Sequence, residues 1–119
     1  MPARLRPASA AEVSAAWDEI RRDAAQTSAL RLLTKHYLAV LEQRHPGRSV
    51  EVRVPPYAAV QCVGGTRHTR GTPPAVVETD AMTWIRLAHG DLSWTDAVAA
   101  GSVNASGQRS DLGALLPLD

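Results

Sequence analysis

One cysteine, one lysine and no long apolar run: each of these shortages in the 119-residue chain excludes a class of protein. Cys62 alone cannot form an internal disulfide, so nothing implies an oxidising compartment. No apolar stretch approaches the roughly 20 residues needed to span a bilayer. The opening "MPARLRPASAAEV" has basic residues but no apolar segment behind them, so it does not read as a secretory signal. The closing "LLPLD" carries no recognisable address. A cytoplasmic protein is the expectation. Charge of one sign is also lacking. The formal net charge is +1, which argues against a dedicated nucleic-acid binder, where a basic face or domain is usual. With Lys35 the sole lysine, arginine supplies nearly all the positive charge, and alanine is abundant. That bias points to a GC-rich bacterial genome.

The remainder is the composition of a folded domain. Apolar residues make up 45% of the chain and charged residues 21%, enough for a core and too few charges for disorder. The length suits one domain. Residues 1–8 read as a flexible lead and 9–119 as a single domain. Ser9 and Glu12 have the spacing of a capping box, and Val13, Trp17, Ile20 and Ala24 follow at helical spacing, predicting a helix over 10–24. A second helix is predicted from Ser28 to Arg44, with Leu30, Leu33, Tyr37, Val40 and Leu41 on one face, ending at Pro46 and Gly47.

The period then switches to two. "VEVRV" places Val50, Val52 and Val54 on one face. "YAAVQCV" and "AVVET" read as further strands, separated by the polar connection "GGTRHTRGTPP", and together they suggest an antiparallel meander. Asp80 and Ser93 stand where helix N-caps belong, and Gly90 and Gly101 where helices stop. "SVNAS" reads as a last strand and "SDLGALL" as a last short helix capped by Ser110.

Reactive groups are sparse. His36, His45, His68 and His89 are not paired at helical spacing, no Cys or carboxylate cluster completes a metal site, and they read as structural or solvated. No G-x-S-x-G elbow, P-loop or dinucleotide fingerprint occurs. The 64–74 loop has glycines with Arg67 and Arg70, the makings of an anion site, but a hairpin loop is the preferred reading. Cys62 falls in a strand and reads as a buried, inert thiol. "NAS" at 104–106 matches a glycosylation acceptor by coincidence in a cytoplasmic chain. No catalytic residue, metal or cofactor is expected.

Residues 87–107 carry the most specific pattern. Leu87, Ala88, Gly90, Leu92, Ala97, Gly101, Val103, Ala105 and Gly107 have the spacing L-A-x-G-x-L, then A-x-x-x-G-x-V-x-A-x-G. This resembles the sterol carrier protein 2 (SCP2) family, in its small stand-alone actinobacterial form, with Trp84 and Trp94 bracketing the motif. The likeness extends over about residues 30–116. It implies an α/β (α+β) fold with a curved, mainly antiparallel sheet of about five strands and helices on one face. It also implies an apolar tunnel between them for fatty acyl chains, acyl-CoA, phospholipids or sterol-like bodies.

Trp84, Leu87, Trp94, Val98, Val103, Leu112, Leu115 and Leu116 are the candidate lining. Taken singly each reads as core, since interiors are close-packed; taken together they suit a ligand cavity at a helix–sheet interface. Departures from the family pattern are the extra N-terminal helix, the small Ala105 at an inward strand position, and the short last helix. The leading expectation is a non-catalytic carrier of a hydrophobic small molecule or lipid, without stable membrane insertion, with Arg67, Arg70 or Arg86 as candidate head-group contacts. The alternative is an interaction or homodimerisation module with Val13, Trp17 and Ile20 facing a partner. An enzyme requires a titratable cluster such as His89, Asp91 and Arg109 in one cleft.

Overall fold

The computed structural model describes residues 5–64, 74–107 and 110–119. Two helices lead, α1 (Ala10–Arg22) and α2 (Thr27–Arg44). They are followed by strands β1 (Val50–Val54), β2 (Ala58–Cys62) and β3 (Ala75–Thr79), helices α3 (Ala81–His89) and α4 (Trp94–Ala99), and strand β4 (Val103–Ser106). The class is α+β, as the sequence predicts, with four strands among the described residues where the family pattern implies about five.

The helix boundaries follow from their caps. Ser9 accepts from the Glu12 amide while the Glu12 carboxylate accepts from the Ser9 amide, the reciprocal box expected at the start of α1. Asp80 and Ser93 accept from the amides of Thr83 and Asp96 at the starts of α3 and α4. Gly90 (φ 98°) and Gly101 (φ 73°) take the left-handed conformation where those helices end.

The sheet runs β2-β1-β3-β4. β1 pairs antiparallel with β2, and β3 antiparallel with β4, but β1 and β3 are parallel. The expected meander of the first three strands is therefore corrected: β3 passes β2 and docks on the other edge of β1. The period-two pattern fixes which face is buried but not which neighbour a strand takes. β1 and β3 are the central strands, and in both the first, third and fifth residues are buried.

The end of the sheet where β1 begins is tightly knotted by backbone. The Val63 amide donates to the His45 carbonyl, the Ser49 amide to the Val63 carbonyl, and the Ala75 amide to the Ser49 carbonyl. These bonds seat the entry to β3 beside β1.

Helices cover one face of the sheet. Val50, Val52, Val54, Val60, Cys62 and Val77 point into that layer and are buried, whereas Arg53, Ala59, Gln61, Glu78 and Asn104 on the other face are exposed. α2 lies on the sheet, with Leu33, Tyr37, Leu38 and Leu41 wholly buried. α1 packs on α2 and buries Ala16, Trp17 and Ile20. The expectation that Trp17 and Ile20 face a partner is thus overturned: the apolar stripe of α1 is used within the chain, and Val13 is half-buried against the same core.

Of the predicted lead, residues 1–4 lie outside the described part. Leu5 packs against the core and the Ala8 amide donates to His36 Nδ1 at 2.9 Å.

The predicted last helix does not form. The Asp111 carboxylate accepts the Gly113 amide at 2.7 Å, and Leu115 donates to the Leu112 carbonyl, giving a single turn. Ser110 donates to the Gly107 carbonyl instead of capping a helix. A side chain that satisfies the backbone locally, with Gly113 in mid-segment and Pro117 behind it, outcompetes helix propagation.

The junction at Gly47 generates a test. Its φ is +152°, and a β-carbon there would lie 2.2 Å from both the carbonyl carbon and oxygen of Val63. Relief requires backbone to move, so Gly47→Ala is expected to lower the unfolding free energy by about 2–4 kcal/mol, read by urea denaturation.

Candidate functional site

The helix-facing side of the sheet is a set of cross-strand rows. One row reads Val60, Val52, Val77 and Ala105, from the pairings Val52 with Val60, Val52 with Val77, and Val77 with Ala105. The first three are buried, and Ala105 is exposed. The helical layer therefore stops short of β4 at this row, and a methyl group stands where a larger aliphatic side chain would close it. The neighbouring row ends in Val103, which is buried.

The eight candidate lining residues divide by position. Trp84, Leu87 and Leu112 lie within the core at 1% exposure, and Val103 is also buried. Trp94, Leu115 and Leu116 are half-buried against that core. Trp94 also lies against the 112–115 turn, since a β-carbon on Gly113 would meet the Trp94 ring at 3.2 Å. Val98 stands out at 46% exposure. It lies four residues beyond Trp94, on the same side of α4.

Trp84 is fixed by its indole N–H, which donates to the Thr34 carbonyl at 3.2 Å. Apolar positions along α3 and α4 thus grade from closed core to open rim. Among the described residues, surface pockets lie around Glu42 and Arg48, around Asp80 and Asn104, and around Arg31 and His36. None of the eight residues lines them.

A polar relay missed by the sequence reading ties the helices to the 118–119 segment. The Trp17 indole N–H donates to the Tyr37 hydroxyl oxygen at 3.0 Å, and that hydroxyl donates to Asp119 Oδ2 at 2.5 Å. His89 Nδ1 lies 2.7 Å from the same carboxylate oxygen, and the His89 ring stacks near Trp17 with centroids 4.6 Å apart. The segment is held by backbone as well. Arg44 donates to the Leu118 carbonyl at 2.5 Å, and the Leu118 amide donates to the Ala88 carbonyl. Burial, reinforced by the hydrogen bond to Asp119, raises the Tyr37 pKa well above the phenol range. No spacing rule finds this set, because Tyr37 and Asp119 are 82 residues apart.

The remaining candidates fall as follows. Cys62 is fully buried in β2, and burial, with a contribution from Glu42, pushes its thiol pKa up to about 11. It is unsuited to act as a nucleophile. Arg86 is exposed in the last turn of α3. Arg67, His68, Arg70 and Arg109 lie outside the described residues, so the convergence of His89, Asp91 and Arg109 is not described. Among the described residues, no group of three His, Cys, Asp or Glu side chains is placed to hold a metal. No described helix is long and apolar enough to cross a membrane.

His36 gives a pH dependence. Its pKa lies below the ordinary 6.5 because burial disfavours the charged ring; Asp119 opposes this and Arg44 adds to it. The unfolded chain then binds a proton that the folded chain refuses. This contribution to stability is fully present above the ordinary value and is lost as pH falls through the lower folded value. Protonation also removes Nδ1 as acceptor for Ala8. Stability of the wild type is expected to fall more steeply from about pH 7 to about pH 5 than that of His36→Gln, in urea titrations across pH. Tyr37→Phe leaves the Trp17 N–H without its acceptor inside the core, and an independent loss of about 1–3 kcal/mol is expected in the same assay.

A family model described as "Bacterial SCP ortholog" matches residues 25–118. No curated protein matches the chain. The matched region begins just before α2 and takes in the whole sheet, α3, α4 and the turn at 112–115, while α1 precedes it. The sterol-carrier pattern in residues 87–107 therefore sits within a match that covers most of the sequence, and the chain belongs to this SCP2-like bacterial family.

Proposed function

We propose that this protein is a non-catalytic binder of an apolar ligand, a fatty acyl chain or a sterol-like body, held between helices and sheet at the β4 side. The observation that carries the proposal is the exposed Ala105 at the end of the otherwise buried row Val60, Val52, Val77. An apolar ligand lying there covers Ala105, beside the buried Val77 and Val103. In this reading Trp94, Leu115 and Leu116, half-buried against the core, supply the walls and the exposed Val98 the rim. Trp84, Leu87 and Leu112 back these walls and keep them in place. Family membership supports the same class of ligand.

The driving force is removal of apolar surface from water, about 25 cal/mol per Å2, so about 200 Å2 of buried ligand surface contributes about 5 kcal/mol. The small side chain at 105 permits that contact without opening the core. A non-catalytic role fits the chemistry at hand. The thiol is buried, and the His89–Asp119 pair is already engaged with Tyr37 and Trp17. In this reading α1 and the rest of the chain act as one domain, in solution in the cytoplasm.

A second reading takes the exposed Val98 as part of a contact between two copies of the chain. Native mass spectrometry of the purified protein, followed by organic extraction, separates the two. The expected result is a monomer mass carrying a fatty acid or phospholipid in near-stoichiometric amount. A clean apo mass that takes up no added oleate would overturn the carrier reading, and a ligand-free dimer would favour the second. Ala105→Leu closes the row, and it is expected to weaken uptake of a fluorescent polyene fatty acid by about tenfold while leaving thermal stability in place.

A further inference from the structure

A different surface of the molecule carries an inference independent of the apolar site. Between the segment before α1 and the outer side of α2 lies a pocket of about 470 Å3. Arg6, Arg31 and Lys35 line it together with His36. None of the three cations forms an ion pair among the described residues; the ion pairs there are Arg21 with Asp18, Arg53 with Glu51, and His89 with Asp119. The one carboxylate in the lining is Glu12, whose Oε1 already accepts from the amide and the hydroxyl of Ser9.

The backbone that carries the cations is fixed by local structure. Arg31 and Lys35 are four residues apart on α2 and therefore on one side of it. Like charges at that spacing cost a helix a few tenths of a kcal/mol, and the first turn of α2 contains no acidic residue. Arg6 belongs to a segment tied down on both sides. Leu5 packs on the core, and the Ala8 amide donates to His36 Nδ1. That bond makes Nδ1 of His36 an acceptor, so in the neutral ring the proton sits on Nε2, a further donor.

We infer that this pocket binds the phosphate group of a small organic phosphate ester, through Arg6, Arg31 and Lys35. Three cations lining one open pocket suit a doubly charged group with several acceptor oxygens better than a single carboxylate, and Arg binds phosphate bidentately. The volume is that of a small-molecule site rather than of a bare ion, and Pro7, Ala8 and Leu32 supply an apolar wall for the organic part. Arg6 and Glu12 precede the family-matched region, which begins at residue 25. The site is thus completed by the part of this chain that the family pattern does not include.

The test is calorimetry of the full chain with three probes: inorganic phosphate, hexyl phosphate, and vesicles of phosphatidylcholine containing phosphatidic acid. Two-dimensional NMR with hexyl phosphate locates the site. Saturable binding of hexyl phosphate is expected, at least about tenfold tighter than inorganic phosphate, with amide shifts at Ala8, Arg31 and Lys35. Affinity should fall about tenfold or more in the double variant Arg31→Gln, Lys35→Gln, and be retained in Lys35→Arg and in the distant Arg86→Gln. Both altered side chains lie on the outer side of α2, and circular dichroism of the double variant checks that it folds.

Equal affinity for inorganic phosphate would overturn the assignment of an ester, leaving a free-phosphate site. Binding only to vesicles would overturn the small-molecule site in favour of a membrane surface. No saturable binding, or binding that the double variant leaves unchanged, would overturn the inference altogether.

Discussion

The hydroxyl of Tyr37 is the point on which three separate parts of the chain converge. It accepts from Trp17 of α1 and donates to Asp119, whose same oxygen meets His89 of α3. The ring that carries it is completely buried in α2. A hydroxyl so placed must find partners, because an unpaired one in the core costs about 1–3 kcal/mol. Here both its donor and its acceptor capacity are used. That requirement fixes how α1 lies on α2 and where residues 118–119 run, and Arg44 and Ala88 then hold the Leu118 backbone.

From this arrangement the rest of the helical layer follows. With α1 laid on α2, and α2 on the sheet, the Leu and Val side chains between them close into one core. α3 and α4 are too short to be stable alone and depend on contact with their neighbours. α3 obtains it against α2, where Trp84 reaches the Thr34 carbonyl. α4 buries only Ala97 completely. The helical layer is thinly packed at α4, and Ala105 on β4 is exposed.

Much of this was legible in the sequence, for identifiable reasons. The caps Ser9, Asp80 and Ser93 and the stops Gly90 and Gly101 act within a few residues of themselves, so local chemistry settles them. Strand faces were legible because alternation is also local. The parallel placement of β3 was not, since which strand edge it takes depends on backbone bonds between Ser49, Val63 and Ala75. The last helix fails for the opposite reason: a local competitor, Asp111, takes the Gly113 amide and outweighs the cap that Ser110 could supply. At the candidate site, the small side chain at 105 was readable as a departure from pattern, but its exposure depends on where the helices stop. The Tyr37 relay left no trace in spacing at all.

The mixed sheet has a consequence for the order of assembly. β1 and β2 are joined by three residues and can close early, whereas pairing Val50 with Ala75 closes a separation of 25 residues. Until β3 arrives, β1 presents an unpaired edge rich in valine, the kind of template on which a second nascent chain adds a strand. Docking of β3 is thus the step that withdraws this adhesive edge from other chains. The backbone bonds through Ser49 and Val63 serve as its guide, placing the incoming strand before a stranger can occupy the edge.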